Sequence, residues 1–398
     1  MMIPKQQGGI TMSFFRRITA VVLMLAMLIP TTAAAARPLE EGTPITLTSP
    51  AAVLVEASTG AIIFEKNADE KREVASITKL MTALLVLEAL DRGDVQLSDG
   101  VQVSRNAAAM KGSQALLDAN ATYSLEDLLR TTIMASANDS AVALSEHICG
   151  SEEAFVARMN ARAKELGMSS TNYVNCTGYP QQGQYTTARD VATLCCEVAK
   201  HPRYTQYSSV WIDKLTHPGG RVTDLTNTNR LVRFYDGCDG FKTGSTDAAK
   251  YCLAATAEKN GMRLVAIVLG TPVSQTRFDE ARAMLDYGFA NYQRVSIANK
   301  GDLLGESLPI HGGAADTVEL ALGSGLSMLL KNGQQSGLKL ELSLPDYADA
   351  PVLQGDVLGT VNVLLDGQVI AKLNCVAAVD VPRPGFIEGL YRILNNWR

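Results

Sequence analysis

The sequence predicts an α+β fold: an antiparallel sheet flanked by helices, with a helical subdomain, then a small all-β domain and a C-terminal amphipathic helix. Three observations predict it. Two strand hairpins, one near residue 60 and one near residue 260, bracket a helical middle. From about Val295 the chain turns to short β-rich runs punctuated by glycine, with no good long helix. The final residues, Phe386–Arg398, carry apolar side chains at helical spacing.

Each element has a local cause. Ala51–Ala57 and Ala61–Lys66 are strand-like runs separated by Ser58-Thr59-Gly60, the composition of a hairpin turn. Ser76 to Leu90 is rich in Leu, Ala, Met and Lys and predicts a helix. Ser124-Leu-Glu-Asp127 is a capping signal that opens a helix to about Ser136, and Asp139 to Ile148 continues as another. Glu152–Leu166 is amphipathic and stops at Gly167, while Thr187-x-x-Asp190 opens a helix to about Lys200. After Phe241 the period becomes that of strands. Cys252–Glu258 and Arg263–Leu269 flank Lys259-Asn-Gly-Met262, a hairpin signal, and a helix runs from Gln275 to about Tyr292. A second Gly-turn hairpin, Val357–Leu365 with Gln368–Cys375 around Asp366-Gly367, anchors the small β domain. These signals divide the chain into 1–36, 37–292, 293–382 and 383–398.

Composition narrows the function classes. The 398 residues are 46% hydrophobic and 19% charged, which excludes a disordered chain and allows two or three domains of about 150 residues. Thirty-six Lys+Arg against 41 Asp+Glu gives a net charge of −5, the wrong sign for a nucleic-acid partner. Arg16 and Arg17 precede an apolar run from Ile18 to Ile29, then Pro30 and small residues to Ala36. That order reads as a secretory signal peptide cut near Ala35 or Ala36, with Met12 an alternative start. An uncleaved anchor is the competing reading, but about twelve apolar residues are short for a membrane span of about 20. Either reading predicts an exported protein at the extracytoplasmic face of a membrane. The seven cysteines show no C-x-x-C and no His at ligand spacing, so no zinc is expected and they read as small buried apolar residues. In the tail, Phe386, Ile387, Leu390, Ile393, Leu394 and Trp397 with Arg392 and Arg398 suit a membrane surface; packing on the protein itself is the alternative.

Three short motifs carry the chemistry: Ser76-Ile-Thr-Lys79, Ser136-Ala-Asn138 and Lys242-Thr243-Gly244. Each is weak alone. S-x-x-K recurs at Ser336–Lys339, in the β domain, and S-x-N at Ser104–Asn106 and Ser170–Asn172. Setting and order distinguish the three. Ser76 and Lys79 open a helix, so positions i and i+3 share a face and can meet. Ser136 and Asn138 fall at a helix-to-helix junction, and Lys242-Thr-Gly244 starts a strand whose glycine permits close backbone approach. A serine hydroxyl needs a base, and Lys79 can serve if burial and the nearby Lys242 charge lower its pKa toward neutrality. The N–H of Ser76, with one from the strand after Gly244, would form an oxyanion hole. Ser136 would relay a proton to a leaving amine, Asn138 would bind a substrate amide, and Lys242 and Thr243 would hold a terminal carboxylate. No G-x-S-x-G, H-E-x-x-H or Ser-His-Asp arrangement is evident, and no cofactor is called for.

This is the pattern of the penicillin-recognising serine enzymes. The chain resembles the low-molecular-mass penicillin-binding proteins that are serine-type D-alanyl-D-alanine carboxypeptidases. The likeness rests on Val74-Ala-Ser-Ile-Thr-Lys-Leu-Met81, Met134-Ala-Ser-Ala-Asn-Asp139, Asp239-Gly-Phe-Lys-Thr-Gly244 and the helix following Arg277. It covers about residues 45–292 strongly, and the β domain and tail less specifically. The resemblance implies a β-lactamase-like fold and removal of the terminal D-alanine from peptidoglycan pentapeptide stems through an acyl-enzyme on Ser76. It also implies acylation by β-lactam antibiotics such as penicillin, and a substrate-carboxylate role for Arg277, whose alternative is an ordinary surface helix residue. Many relatives carry His after K-T-G where this chain has Ser245, which leaves acyl transfer intact but bears on rate and substrate preference.

Two rivals share the motifs. A class A-like β-lactamase needs a deacylating glutamate between the second and third motifs. Glu152, Glu153, Glu165 and Glu197 lie there, but in helices and without an E-x-x-x-N setting. A non-catalytic cell-wall-binding scaffold of the same fold has no need of both lysines.

Overall fold

The structure, a computed structural model, describes residues 45–387. The predicted signal peptide (1–36) and residues 388–398 of the predicted tail helix lie outside the described residues. Of that tail, Phe386 and Ile387 are described and both are exposed.

The larger part is built on a five-stranded sheet in the order Ile62–Lys66, Ala51–Glu56, Met262–Thr271, Lys250–Lys259, Cys238–Thr246, with every neighbouring pair antiparallel. Alternate residues of each strand serve two cores. Ala51, Val53, Val55, Val265, Ile267 and Leu269 join the helical subdomain on one face. Ala52, Leu54, Leu264, Ala266 and Val268 pack against Phe278, Met284 and Leu285 of the Thr276–Asn291 helix on the other. Covered on both faces, these strands read as near-continuous apolar runs. The Asn260-Gly261 turn predicted from sequence adopts left-handed φ at both residues (52° and 72°), as a two-residue hairpin requires.

Gly288 sets how closely that last helix approaches the sheet. A Cβ there would lie 2.4 Å from Leu264 Cδ1 and 3.2 Å from Leu54 Cδ2, both fully buried. Helix propensity favours Gly288→Ala by about 1 kcal/mol. The core cannot move aside, and overpacking of this kind costs about 1–3 kcal/mol. The variant is therefore expected to melt at a lower temperature than the wild type, by a few degrees in a thermal scan.

The helical subdomain follows the sequence signals closely. The first predicted helix begins as a 3-10 turn, Ala75–Thr78, before the α-helix Lys79–Arg92. Leu125–Met134 is capped by the Ser124 hydroxyl, which accepts from the Asp127 N–H, and Asn138–Cys149 follows after three residues. Glu152–Glu165 and Ala188–Val198 complete the predicted set. The sequence reading did not anticipate the short helices Pro202–Ser208 and Leu231–Phe234 or the hairpin Ile212–Thr216 with Val222–Thr226. Leu231–Phe234 is a single turn, and the others are short, mostly polar segments, so none is long enough to show a clear hydrophobic period.

Beyond Asn291 the chain is β-rich. Tyr292–Ala298 pairs with Leu326–Lys331, and a six-stranded sheet runs Leu338–Ser343, Val357–Leu365, Gln368–Ala377, Thr317–Leu322, Leu303–His311, Ala348–Asp349. Leu308, Val318, Leu320, Val361, Val363, Leu373 and Cys375 form its own core. The Asp366-Gly367 hairpin is as predicted. Ser336 of the decoy S-x-x-K lies in a 3-10 turn rather than a strand, and Lys339 lies on the strand that follows. No helix among the described residues is long and apolar enough to cross a membrane. All seven cysteines are free, with Cys149 and Cys196 half-buried and the rest buried.

Candidate active site

The first two motifs meet at one buried amine. Lys79 Nζ donates to Ser76 Oγ (2.9 Å), Asn138 Oδ1 (2.6 Å) and the Thr177 carbonyl (2.7 Å). The 3-10 turn makes this possible, because it brings Ser76 and Lys79 onto one face at the start of the helix. Lys79 is only 1% exposed. Burial pushes its pKa down from 10.5 to about 7, and this outweighs the opposing influence of Cys176 and Asp139. The Cys176 thiol is itself pushed well up, first by burial, and stays neutral at pH 7. The buried Asp139 carboxylate, held by the N–H groups of Ala115, Leu117 and Ser140, is thus the effective counter-charge. Sequence reasoning assigned part of this depression to Lys242. Desolvation, the first of the two causes that reasoning named, is the dominant one, and the Lys79–Lys242 repulsion is felt in the lowered pKa of Lys242.

Ser136 sits at the junction between Met134 and Asn138, as predicted, buried and in a left-handed conformation (φ 63°). Ala75, just before the nucleophile candidate, is also left-handed (φ 51°). Strained non-glycine residues on both sides of one cleft are a mark of a functional site. The Asn138 carboxamide is engaged at both ends, accepting from Lys79 and donating to the Lys111 carbonyl at 2.6 Å. It therefore ties the amine to the wall formed by residues 111–117, in addition to lining the cleft.

The third motif lies in the second half of the Cys238–Thr246 strand rather than at its start. This is the edge strand of the sheet, so one row of its backbone groups is not consumed by a neighbouring strand. Gly244 allows the edge to press against the nucleophile turn. A Cβ there would lie 2.2 Å from the Val74 carbonyl oxygen. The Lys242 ammonium is 1% exposed and makes one long hydrogen bond among the described residues, 3.4 Å to the Thr243 carbonyl. Its pKa is pushed well below the ordinary lysine value, by burial first and then by the Lys79 and Arg277 charges. Thr243 Oγ1 donates to Thr228 Oγ1 (2.7 Å). Arg277 is no surface residue. It is buried behind the strand, donates to the Gly244 (3.1 Å) and Cys252 (3.3 Å) carbonyls, and lies over the Tyr251 ring. Its Nε is buried without a hydrogen-bond partner among the described residues, and burial lowers its pKa to about 10.

Ser76, Asn138 and Ser245 open onto a cleft of about 570 Å³, whose other walls are Gly112–Ser113, Gly178–Pro180 and the Thr246–Tyr251 turn. The segment Asn175–Gly178 was missed by sequence reasoning. It supplies the Thr177 carbonyl to Lys79 and is folded by Asn175 Oδ1, which accepts from the N–H groups of Thr177 and Gly178. The one legible signal was its Asn-x-x-Gly turn composition.

The glutamates a β-lactamase reading would need lie elsewhere. Glu152 accepts from the Cys176 N–H, Glu165 and Glu197 pair with Arg162, and among the described residues no glutamate lines the cleft. Among the described residues no cluster of His, Cys, Asp and Glu could hold a metal ion. What the arrangement can do is nucleophilic acyl transfer: a hydroxyl beside an amine with a near-neutral pKa, next to an unpaired strand edge and a buried cation.

Comparison with known proteins agrees with this geometry. The family profile described as D-alanyl-D-alanine carboxypeptidase matches residues 34–273, and that described as penicillin-binding protein 5, C-terminal domain, matches residues 292–383. The chain is 38% identical over 347 residues to the D-alanyl-D-alanine carboxypeptidase DacF of Bacillus subtilis, covering 87% of this chain and 89% of the relative. It is 32% identical to DacC of Escherichia coli over 84% of each chain. Among solved structures, penicillin-binding protein 5 from Haemophilus influenzae superposes with a TM-score of 0.75 at 31% identity, covering 86% of this chain and all of that one. The chain belongs to the peptidase S11 family of serine D-alanyl-D-alanine carboxypeptidases.

Proposed function

We propose that the reaction runs through an acyl-enzyme on Ser76 and releases the terminal D-alanine of peptidoglycan stem peptides ending in D-alanyl-D-alanine. The observation that carries this reading is the contact between the Lys79 amine, its pKa lowered to about 7, and Ser76 Oγ 2.9 Å away. Neutral Lys79 accepts the hydroxyl proton as Oγ attacks the carbonyl of the penultimate D-alanine. The N–H groups of Ser76 and Ser245 stabilise the tetrahedral oxyanion. The proton passes from Lys79 through Ser136 to the departing amine, the C–N bond breaks, and D-alanine leaves. Water then attacks the ester with Lys79 again as base, returning a free Ser76 and a peptide shortened by one residue. Lys242 and Thr243 receive the substrate's terminal carboxylate, with Gly244 giving close access. Arg277 braces this strand through the Gly244 carbonyl and adds its positive charge behind the carboxylate site. Lys242 must carry its proton to pair with a carboxylate, and the bound carboxylate offsets the burial that lowers the lysine's pKa.

Penicillin mimics the D-alanyl-D-alanine end and acylates the same serine. Residues 1–36 export the protein, 37–292 form the peptidase domain and 293–382 the small β domain. The amphipathic segment 383–398 holds the enzyme at the extracytoplasmic face of the membrane. The test is release of D-alanine from an N-acylated peptide ending in D-Ala-D-Ala. The wild type is expected to release it, and Ser76→Ala to lose all but a trace; release by the variant at the wild-type rate contradicts the assignment.

A further inference from the structure

The mechanism leaves part of the cleft without a task. Past Ser245 the edge strand turns back through Thr246–Lys250, and Thr246, Asp247, Lys250 and Tyr251 line the same cleft as Ser76. Asp247 and Lys250 are both exposed. Among the described residues neither is ion-paired to the protein or to the other. Lys250 also holds a left-handed backbone (φ 54°), which glycine adopts without cost and lysine does not. The hairpin turn accounts for that backbone, and what it does is hold two opposite charges, each without an ion-pair partner among the described residues, at the rim of the reaction cleft, placed to receive charged groups of a bound substrate.

Strand geometry says which part of the substrate lies there; this step rests on the acyl-transfer reading above. A peptide added antiparallel to the edge, with its terminal carboxylate at Lys242 and Thr243 and its attacked carbonyl at Ser245, runs opposite to the strand. Each residue advances about 3.4 Å, so the residue just upstream of D-alanyl-D-alanine falls beside Thr246 and Asp247, and its side chain reaches the turn. We propose that Asp247 and Lys250 form a specificity subsite for that upstream residue, and that the side chain it takes is zwitterionic, with one ammonium and one carboxylate. Asp247 receives the ammonium and Lys250 the carboxylate. A side chain with a single charge satisfies one partner and leaves the other unmatched.

The test compares three acylated peptides ending in D-Ala-D-Ala. The first carries a diamino-diacid residue upstream, the second the same residue with its side-chain carboxylate amidated, the third with its side-chain amine acetylated. The readout is the ratio of kcat/KM values for D-alanine release on one enzyme, which cancels any change in folding or overall rate. For the wild type each masking is expected to lower kcat/KM by about fivefold, the scale of a solvent-exposed ion pair. Lys250→Gln is expected to lose discrimination against the amidated peptide and keep it against the acetylated one, and Asp247→Asn the reverse. The proposal is overturned if masking changes the wild-type value by less than about twofold, or if both variants keep the wild-type ratios. Benzylpenicillin, which lacks this side chain, separates the two levels. If the wild type is neither acylated by it nor releases D-alanine from any peptide, the acyl-transfer reading itself falls, and the subsite with it.

Discussion

Lys79→Met is expected to slow acylation of Ser76 by about 10²–10⁴-fold, the range of a lost general base. Methionine has nearly the length of lysine and no proton to exchange, so the helix start keeps its packing while the serine loses its activator. The rate in the wild type is expected to rise with pH through about 7, as Lys79 loses its proton, and the variant is expected to lack that limb. The same amine makes a linkage prediction. Its pKa is about 7 folded and 10.5 in the free side chain, so between these values the unfolded chain binds the extra proton. Stability contributed by this position therefore rises with pH across that window and is lowest below pH 7, where the buried amine must be charged. At about 1.4 kcal/mol per pH unit the full swing is on the order of 5 kcal/mol. Denaturant melts of wild type and Lys79→Met at pH 6 and pH 9 test the sign. The stability difference should move in favour of the wild type as pH rises.

Gly178→Ala is expected to do comparable damage without removing any reacting group. A Cβ at this position would lie 1.9 Å from the Ala75 carbonyl oxygen and 2.4 Å from its carbon, backbone atoms that cannot rotate away. Gly178 also has φ 77°, which costs an alanine about 1–2 kcal/mol by itself. The clash pushes the Asn175–Gly178 segment and the Ala75–Ser76 turn apart, lengthening the Lys79 bonds to the Thr177 carbonyl and to Ser76 together. Misplacement by about 1 Å costs a reaction of this kind about 10²-fold. Gly183→Ala is the control. It has φ 93°, and its nearest heavy-atom neighbour, Val174 Cγ1, would be 3.7 Å away. Acylation rates and thermal melts should show Gly183→Ala paying only the backbone cost, with Gly178→Ala far slower and less stable.

The parts of the molecule legible in the sequence are those whose signals are local. The Asn260-Gly261 and Asp366-Gly367 hairpins, the Ser124 cap and the i, i+3 pairing of Ser76 with Lys79 each depend on a few adjacent residues. The candidate site residues were legible because three separated motifs fell in suitable local settings, and the fold brings Ser76, Lys79 and Asn138 into hydrogen-bond contact. What escaped depends on tertiary approach. The Thr177 carbonyl reaches Lys79 across 98 positions of sequence, and nothing in Cys176-Thr-Gly178 announces it. Arg277 was named only through the resemblance, with a surface helix position as its alternative, because no local signal shows that it is buried and donates to the Gly244 and Cys252 carbonyls. The depression of the Lys79 pKa was legible in direction. The extent of the burial that dominates it follows from packing that no motif encodes.

The central claim is a covalent intermediate on Ser76, and the intact mass of the protein mixed with benzylpenicillin tests it most directly. Followed over time with Ser76→Ala in parallel, the wild type is expected to gain the mass of one penicillin molecule, retain it for minutes or longer, and yield an acylated peptide containing Ser76 on digestion. The variant is expected to gain nothing. Penicillin consumed without a lasting adduct would instead indicate a β-lactamase, and an equal adduct on Ser76→Ala, or none on either protein, would contradict acyl transfer through Ser76.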